Sequence, residues 1–298
     1  MFPGQLGYLL ALWVLWRLMR QVRPELVLGY TIKPVIFGTI TAWFAGVPKR
    51  VALITGLGYA FQGERSAMLW MVQKLYAFAL RRAELVFFQN PDDLALFRDR
   101  DILSADARTC VVNGSGVDVA HFAQCELPRD TTCFLLIARL LGAKGVREYA
   151  QAAELVKKRY PNARFAVVGW IDSNPDAIAQ HELDQWVSAG TLAYWGRMSD
   201  VRPAIQKASV YVLPSYREGT PRSVLEAMSM GRAVITTDAP GCRETVTQGD
   251  NGYLVPVKSV TALAEAMLKF LDDPTLVEEM GHRSRSIALE KYDVHKVN

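Results

Sequence analysis

The sequence predicts an α/β protein with two domains, each built on a parallel β-sheet. Short apolar runs recur along the chain, and most have the length and the β-branched or aromatic composition of buried strands. Segments with helical periodicity, such as 146–160 and 224–230, lie between them, which is typical of α/β layers with helices on both faces. With 298 residues, half of them hydrophobic, the chain is longer than one compact core usually needs.

The boundary between the two predicted domains lies near residues 122–130. There the stretch NGSGVDVAHFAQCELPRDTTC brings glycines and polar residues before a new strand begins at Cys133. We therefore expect domains of residues 1–122 and 123–298. The first is short for a complete α/β domain, and we expect it to be truncated, without its leading strand–helix units.

Positive charge is concentrated in the first domain. Residues 1–90 carry ten Lys and Arg against three Glu, a net +7, whereas the whole chain carries +4. Such a surface suits nucleic acid or an anionic membrane. Because the sequence has no zinc-finger spacing and no aromatic ribonucleoprotein signature, we expect the membrane and no nucleic acid. The four cysteines form no C-x-x-C pair, which fits a reducing cytoplasm.

An apolar run, residues 6–16, lies close to the start of the chain. It is too short to span a bilayer, which takes about 20 residues. Arg17, Arg20 and Arg23 follow the run, whereas a signal peptide places its positive charge first. Two interpretations stay open: a helix buried against a sheet and ending before Pro24, or an interfacial helix with its arginines near lipid headgroups.

Polar side chains follow three predicted strands of the second domain, where ligands of doubly wound sheets bind. The loop RLLGAKGV carries Arg139 and Lys144, a forked donor and a point charge that suit a diphosphate. The loop SYREGTPR carries Glu218 and leads into a helix whose N-terminus can hold an anion. A third loop, APGCRE, carries Glu244.

Each of these residues also has a purely structural explanation. Arg139 and Lys144 could be solvated surface charges. Glu226, on the helix after the second loop, stands three residues after Ser223, so that a capping box would explain it without a function. The agreement of several such groups at one sheet edge favours a binding site for a charged ligand.

A long segment of the second domain resembles a known family. REGTPRSVLEAMSMGRAVITTD, preceded by VYVLPS and followed by GCRETVTQGDNGYLV, is similar to the signature region of retaining, nucleotide-sugar-dependent glycosyltransferases of the GT-B fold. The resemblance is greatest to the family 4 enzymes of bacterial capsule and O-antigen synthesis, and it extends less specifically into the first domain. It implies two Rossmann-like domains facing each other, the first incomplete.

The resemblance implies roles for the cations and for the helix glutamate. Arg139 and Lys144 would bind the diphosphate of the donor and stabilise the charge that grows on the leaving nucleotide. Glu226 would accept hydrogen bonds from the ribose hydroxyls of the donor.

The resemblance also implies how the sugar is held. Glu218, with the N–H groups of Gly219 and Thr220, would hold the donor sugar near its anomeric carbon. Glu218, Arg139 and Lys144 would then form the catalytic centre. The leaving phosphate would help to deprotonate the acceptor, so that no dedicated nucleophile, metal ion or cofactor is expected.

The implied reaction moves a sugar from a nucleotide-diphosphate donor, expected to be a UDP-sugar, with retention to a polyprenyl-diphosphate-linked saccharide. The expected location is cytoplasmic, peripheral at the inner face of the plasma membrane. The alternative is a truncated, catalytically inactive nucleotide-binding remnant or a partner-dependent subunit. A dinucleotide oxidoreductase is disfavoured, because GLGYAF and GSGVDV lack the last small residue of that fingerprint.

Overall fold

The computed structural model describes residues 3–57, 67–128 and 131–297, so that part of the GLGYAF stretch lies outside the described residues. The chain forms two compact units, Met1–Val112 and Asn113–Asn298. Each unit contains one parallel sheet with helices, which confirms the predicted α/β class.

The linker that follows the first unit packs within the second. The backbone N–H of Val117 donates to the Tyr292 carbonyl, and the N–H of Val294 donates back to Val117, at 2.8 and 3.0 Å. The units therefore divide before the glycine-rich stretch, whereas the predicted boundary lies within it, near residues 122–130.

The first unit has a four-stranded parallel sheet in the order β1-β2-β3-β4. Its strands are β1 Leu26–Tyr30, β2 Lys49–Ile54, β3 Leu85–Phe88 and β4 Thr109–Val111. Its helices are α1 Pro3–Val22, α2 Thr39–Ala45, which continues a π-helical turn at Pro34–Gly38, α3 Ala67–Leu80 and α4 Pro91–Asp99. The start of α4 follows its sequence: Asn90 accepts the Asp93 N–H at 2.8 Å, and Pro91 occupies the first turn.

The two faces of this sheet differ in their burial. On one face, Ala52 and Phe88 are buried in a core that includes Tyr76 of α3. On the other face, Leu28 and Tyr30 of the outer strand β1 are exposed. Among the described strands, the second face of this sheet is therefore less covered than the first.

Helix α1 ends before Pro24, as predicted, but it is not a fully buried helix. Met19 packs against Ala42 and Ala45 of α2, with Leu15 beside it. The large apolar side chains that α1 exposes, described from Leu10 onward, are Leu10, Trp13, Val14, Trp16, Leu18 and Val22. Among the described residues, no helix combines the length and the apolar character needed to cross a membrane.

The second unit has a six-stranded parallel sheet in the order β10-β9-β8-β5-β6-β7. Its strands are β5 Cys133–Ile137, β6 Arg164–Val168, β7 Ala193–Tyr194, β8 Val210–Leu213, β9 Ala233–Thr237 and β10 Gly252–Val255. Its helices are α5 Val146–Arg159, α6 Gln180–Ser188, α7 Arg202–Gln206, α8 Arg222–Ser229, α9 Val260–Asp272, α10 Thr275–Lys291 and α11 Val294–Val297.

This sheet is buried on both faces, as the continuous apolar strands predict. Alternate residues of β5 enter opposite cores: Phe134 joins the core beneath α5 and α9, and Leu135 joins the core beneath α8. Phe134 also stacks on Phe165 with ring centroids 5.1 Å apart. Full burial of such a side chain contributes about 1.5–3 kcal/mol. The rigid sheet brings the carboxyl ends of β5, β6, β8 and β9 together at one edge.

Candidate active site

The loop after β5 includes a position that only glycine can occupy. Gly142–Lys144 forms a 3-10 turn, and Gly145 has φ of +71° at the start of α5. A Cβ on Gly145 would lie 2.2 Å from the carbonyl oxygen of Pro214, just after β8. The loop that carries Lys144 can therefore pack directly against the end of β8.

Lys144 and Glu218 form an ion pair between the Nζ and Oε1 atoms. Their side chains are 21% and 14% exposed, so the pair is largely shielded from water. The sequence placed both residues in one site, and the structure joins them directly. Charges shielded in this way interact more strongly than they would at an open surface.

Arg139 lies in the same loop, and an ion pair holds its guanidinium. Its Nη1 atom lies 2.8 Å from Oδ2 of Asp172, which follows β6. The guanidinium holds the pKa of the Asp172 carboxyl below its usual range. Asp172 was not predicted from the sequence, because its partner becomes visible only in the fold.

The loop that begins at Glu218 is supported from behind by the third polar loop. The Glu218 N–H donates to the carbonyl of Pro240 at 2.9 Å. Gly241 has φ of +80°, and a Cβ there would lie 2.2 Å from the Glu218 carbonyl oxygen. Gly219 and Thr220 follow in this loop, and Thr220 is buried. The position of Glu218 therefore depends on close contact between two backbones.

Glu244, singled out in the third loop, contributes to the attachment of the C-terminal helix. Its carbonyl accepts hydrogen bonds from the Tyr292 hydroxyl at 2.5 Å and from Lys291 Nζ at 3.0 Å. It does not belong to the lining of the pocket described below.

Glu226 lies on α8 with its side chain 15% exposed. Burial raises the pKa of its carboxyl, and the charge of Arg222, 3.9 Å away, lowers it by less. The capping-box interpretation is wrong, because α8 begins at Arg222 with Pro221 at the N-cap position. Ser223 is therefore inside the helix and cannot cap it.

Ser223 instead contacts a buried tyrosine. The Tyr211 hydroxyl lies 2.7 Å from Ser223 Oγ and 3.1 Å from the carbonyl oxygen of Ile137, to which it can donate. Burial raises the pKa of this phenol far above its ordinary value, so that it remains neutral. Tyr211 thus connects the end of β5 with the first turn of α8.

These groups converge on one hollow of about 410 Å³, a volume within the range of about 300–1,000 Å³ that is usual for small-molecule sites. Arg139, Lys144, Glu218 and Glu226 all line it. Four of the six residues proposed from the sequence are therefore brought together. Gly219 and Thr220 belong to the same loop as Glu218 but not to the lining.

Trp170 and Met198 also line the pocket, and neither was predicted from the sequence. The Arg197 guanidinium lies 4.7 Å from the centre of the Trp170 ring. The signal was available, since VVGW ends a predicted strand at the same sheet edge as Arg139.

The pocket can hold a ligand with three kinds of group. Two cations and the N-terminus of α8 suit an anionic centre, and the carboxylates can accept hydrogen bonds from hydroxyl groups. Apolar and aromatic side chains suit a flat ring. A nucleoside diphosphate that carries a sugar combines all three.

Two protein-family models match the chain. The one described as "Glycosyl transferases group 1" matches residues 131–273, and the one described as "Glycosyl transferase 4-like" matches residues 2–90.

Several curated bacterial proteins are similar along most of the chain. An N,N'-diacetylbacillosaminyl-diphospho-undecaprenol alpha-1,3-N-acetylgalactosaminyltransferase of Campylobacter jejuni is 27% identical, over 93% of this chain and 75% of the relative. A UDP-Gal:alpha-D-GlcNAc-diphosphoundecaprenol alpha-1,3-galactosyltransferase of Escherichia coli is 26% identical, over 88% and 70%. The capsular polysaccharide biosynthesis glycosyltransferase CapM of Staphylococcus aureus is 22% identical, over 92% and 74%.

Solved structures share the fold. Anabaena Alr3699/HepE in complex with UDP has a TM-score of 0.78 at 18% identity, covering 96% of this chain and 79% of its own. Sucrose-phosphate synthase from Thermosynechococcus elongatus has a TM-score of 0.82 at 19% identity, covering 100% and 77%. At these identities the likeness concerns the fold alone.

Proposed function

Because the chain belongs to the group 1 glycosyltransferases, a retaining family of the GT-B fold, we propose that it transfers a sugar from a UDP-sugar to a lipid-linked saccharide. Membership confirms the resemblance drawn from the sequence. The chain is a nucleotide-sugar glycosyltransferase of polysaccharide biosynthesis. The nucleotide, the acceptor and the role of each residue are the proposal.

The observation that carries the proposal is the convergence of Arg139, Lys144, Glu218 and Glu226 on one pocket. Arg139 and Lys144 would donate hydrogen bonds to the donor diphosphate. As the bond between sugar and phosphate breaks, negative charge grows on the nucleotide, and cations already fixed in place stabilise it without reorganisation. Each hydrogen bond to such a charge is worth about 1.5–3 kcal/mol.

Glu218 would take two positions in the reaction cycle. It pairs with Lys144 in the structure. When Lys144 turns to a diphosphate, the Glu218 carboxylate would accept hydrogen bonds from the hydroxyls of the donor sugar. The loop contact with Gly241 keeps the Glu218 backbone in place during that exchange.

Glu226 would bind the ribose, and Trp170 with Met198 would contact the base. A carboxylate accepts hydrogen bonds from both hydroxyls of a ribose, which suits the depth of Glu226 in the pocket. Tyr211 and Ser223 would fix the first turn of α8, and with it the carboxylate.

A lipid-linked acceptor is supported by two relatives whose names include undecaprenol diphosphate carriers. The saccharide that precedes the diphosphate in those carriers differs between the two names. For this chain we therefore propose a polyprenyl-diphosphate-linked saccharide without assigning its sugars, and a location at the inner face of the plasma membrane.

Titration calorimetry with UDP tests the donor site. We expect Lys144→Ala to weaken UDP binding by about 1.5–3 kcal/mol, because it removes a charged donor from the diphosphate. Lys158→Ala is the matched control, since Lys158 is exposed on the adjacent helix α5. Equal UDP affinity in the two variants would refute the assignment of this pocket to the donor.

A further inference from the structure

Helices α2 and α3 of the first unit expose an unusual set of aromatic side chains. Trp43 and Phe44 on α2, with Trp70 and Phe78 on α3, form what we call the aromatic patch. Phe44 and Trp70 are 64% and 62% exposed. Exposed aromatic side chains on neighbouring helices favour a site of interaction.

An arginine lies in a fixed position beside the aromatic patch. Trp43 lies 4.6 Å from Phe44 and 6.1 Å from Phe78, measured between ring centres. The Arg82 guanidinium lies 4.3 Å from the Trp43 ring and 3.8 Å from the Phe78 ring. Arg82 also donates from Nη1 to the Phe78 carbonyl at 3.1 Å, which fixes the guanidinium beside these rings.

Helix α1 extends this surface. It packs on α2 through Met19 and exposes Trp13 beside Arg17, whose guanidinium lies 5.5 Å from the ring centre. On α3, Lys74 lies 5.8 Å from the Trp70 ring. Each of the three helices that meet at this surface thus presents tryptophan, and cations lie beside the rings.

Charge distinguishes the possible occupants of the surface. The sequences of α1, α2 and α3 contain no Asp or Glu, and Arg81 and Arg82 follow α3 directly. Aromatic and arginine side chains also occur in protein interfaces, but those normally mix both signs of charge at the rim. A surface that is apolar and basic throughout matches a bilayer with anionic headgroups.

We propose that the outer faces of α1, α2 and α3 dock on an anionic bilayer, with the aromatic patch in the boundary between headgroups and acyl chains. Arg82 and Lys74 then contact the lipid phosphates beside the rings that they already cover. The inference deepens the proposed function, since a lipid-linked acceptor requires the enzyme at the membrane, and it names the surface that brings it there.

Vesicle sedimentation tests this docking. We expect the protein to sediment with phosphatidylglycerol vesicles and much less with phosphatidylcholine vesicles, because each basic residue near an anionic surface changes partitioning about fivefold. High salt should release only part of the protein, since apolar insertion does not depend on ionic strength.

The double substitution Phe44→Ser and Trp70→Ser is the sharpest variant, because both side chains are mostly exposed and the fold does not depend on them. We expect it to reduce partitioning onto phosphatidylglycerol vesicles at least tenfold. The matched control is Leu155→Ser with Val187→Ser, two exposed apolar residues of the second unit, which should bind as the unchanged protein does.

Three results would overturn the proposal. They are equal sedimentation with both lipids, unchanged partitioning of the Phe44→Ser and Trp70→Ser variant, and concentration-dependent self-association that this variant abolishes, which would make the surface an interface between copies. UDP calorimetry on the same variant keeps the donor site separate. If UDP fails to bind the unchanged protein while vesicle binding holds, the proposed function fails and the docking surface stands.

Discussion

Replacing Glu226 by Gln separates its expected role in ribose binding from a structural role. A hydrogen bond to a charged acceptor is worth about 1.5–3 kcal/mol and a neutral one about 0.5–1.5 kcal/mol. Glutamine retains the neutral acceptor, so we expect UDP binding to weaken by about 1–1.5 kcal/mol, or about 5- to 13-fold in Kd. Glu154→Gln, at an exposed position of α5, should leave UDP binding unchanged.

The Glu226→Gln substitution should stabilise the folded protein, although it weakens UDP binding. Burial raises the pKa of Glu226, so ionisation of this carboxyl destabilises the folded state. The free energy of unfolding of the unchanged protein should therefore fall as pH rises from the ordinary pKa of glutamate through the raised one. The variant has no such ionisation, and its stability relative to the unchanged protein should increase over that same interval.

Two measurements check these expectations: UDP calorimetry at neutral pH, and thermal unfolding followed from mildly acidic to neutral pH. UDP affinity equal to that of the unchanged protein would refute the ribose role. A loss of stability at neutral pH would refute the destabilising effect of a buried charge, and would point back to a structural role of Glu226 in α8.

Two further substitutions test a residue that lines the pocket, Arg139, and a residue that positions α8, Tyr211. Arg139→Ala should weaken UDP binding by about 1.5–3 kcal/mol, measured by calorimetry, and unchanged affinity would remove it from the diphosphate site. Tyr211→Phe removes the hydroxyl beside Ser223 and Ile137, so we expect a loss of about 0.5–1.5 kcal/mol in unfolding free energy with weaker UDP binding. A variant that loses stability but binds UDP normally would show that this hydroxyl does not position α8 for binding.

The strands and the outline of the site could be predicted because both depend on local pattern. Apolar runs such as VYVLPS identify buried strands, and the loops after parallel strands gather at the carboxyl edge of the sheet. This rule placed Arg139 and Lys144 opposite Glu218 and Glu226 without knowledge of their distances. The same rule applied to VVGW would have identified Trp170.

The contacts that sequence could not supply are those set by tertiary packing. Asp172 and Arg139 are far apart in sequence, and so are Tyr211 and Ile137, so that no local pattern connects them. The spacing of Ser223 and Glu226 matches a capping box, but the helix begins at Arg222 with Pro221 as its N-cap, so Ser223 lies inside it. Residues 6–16 of helix α1 form an unbroken apolar run, and periodicity alone could not say which side of it is covered.

Sugar transfer itself is the decisive measurement for the proposed enzyme. The protein is incubated with a UDP-sugar and a polyprenyl-diphosphate-linked saccharide in anionic vesicles, and the anomeric configuration of the product is determined by NMR. We expect a lengthened saccharide whose new linkage retains the configuration of the donor, and loss of this product in the Lys144→Ala variant but not in Lys158→Ala. UDP binding without any transfer would contradict the proposed activity and indicate a nucleotide-binding remnant, and an inverted linkage would contradict the mechanism.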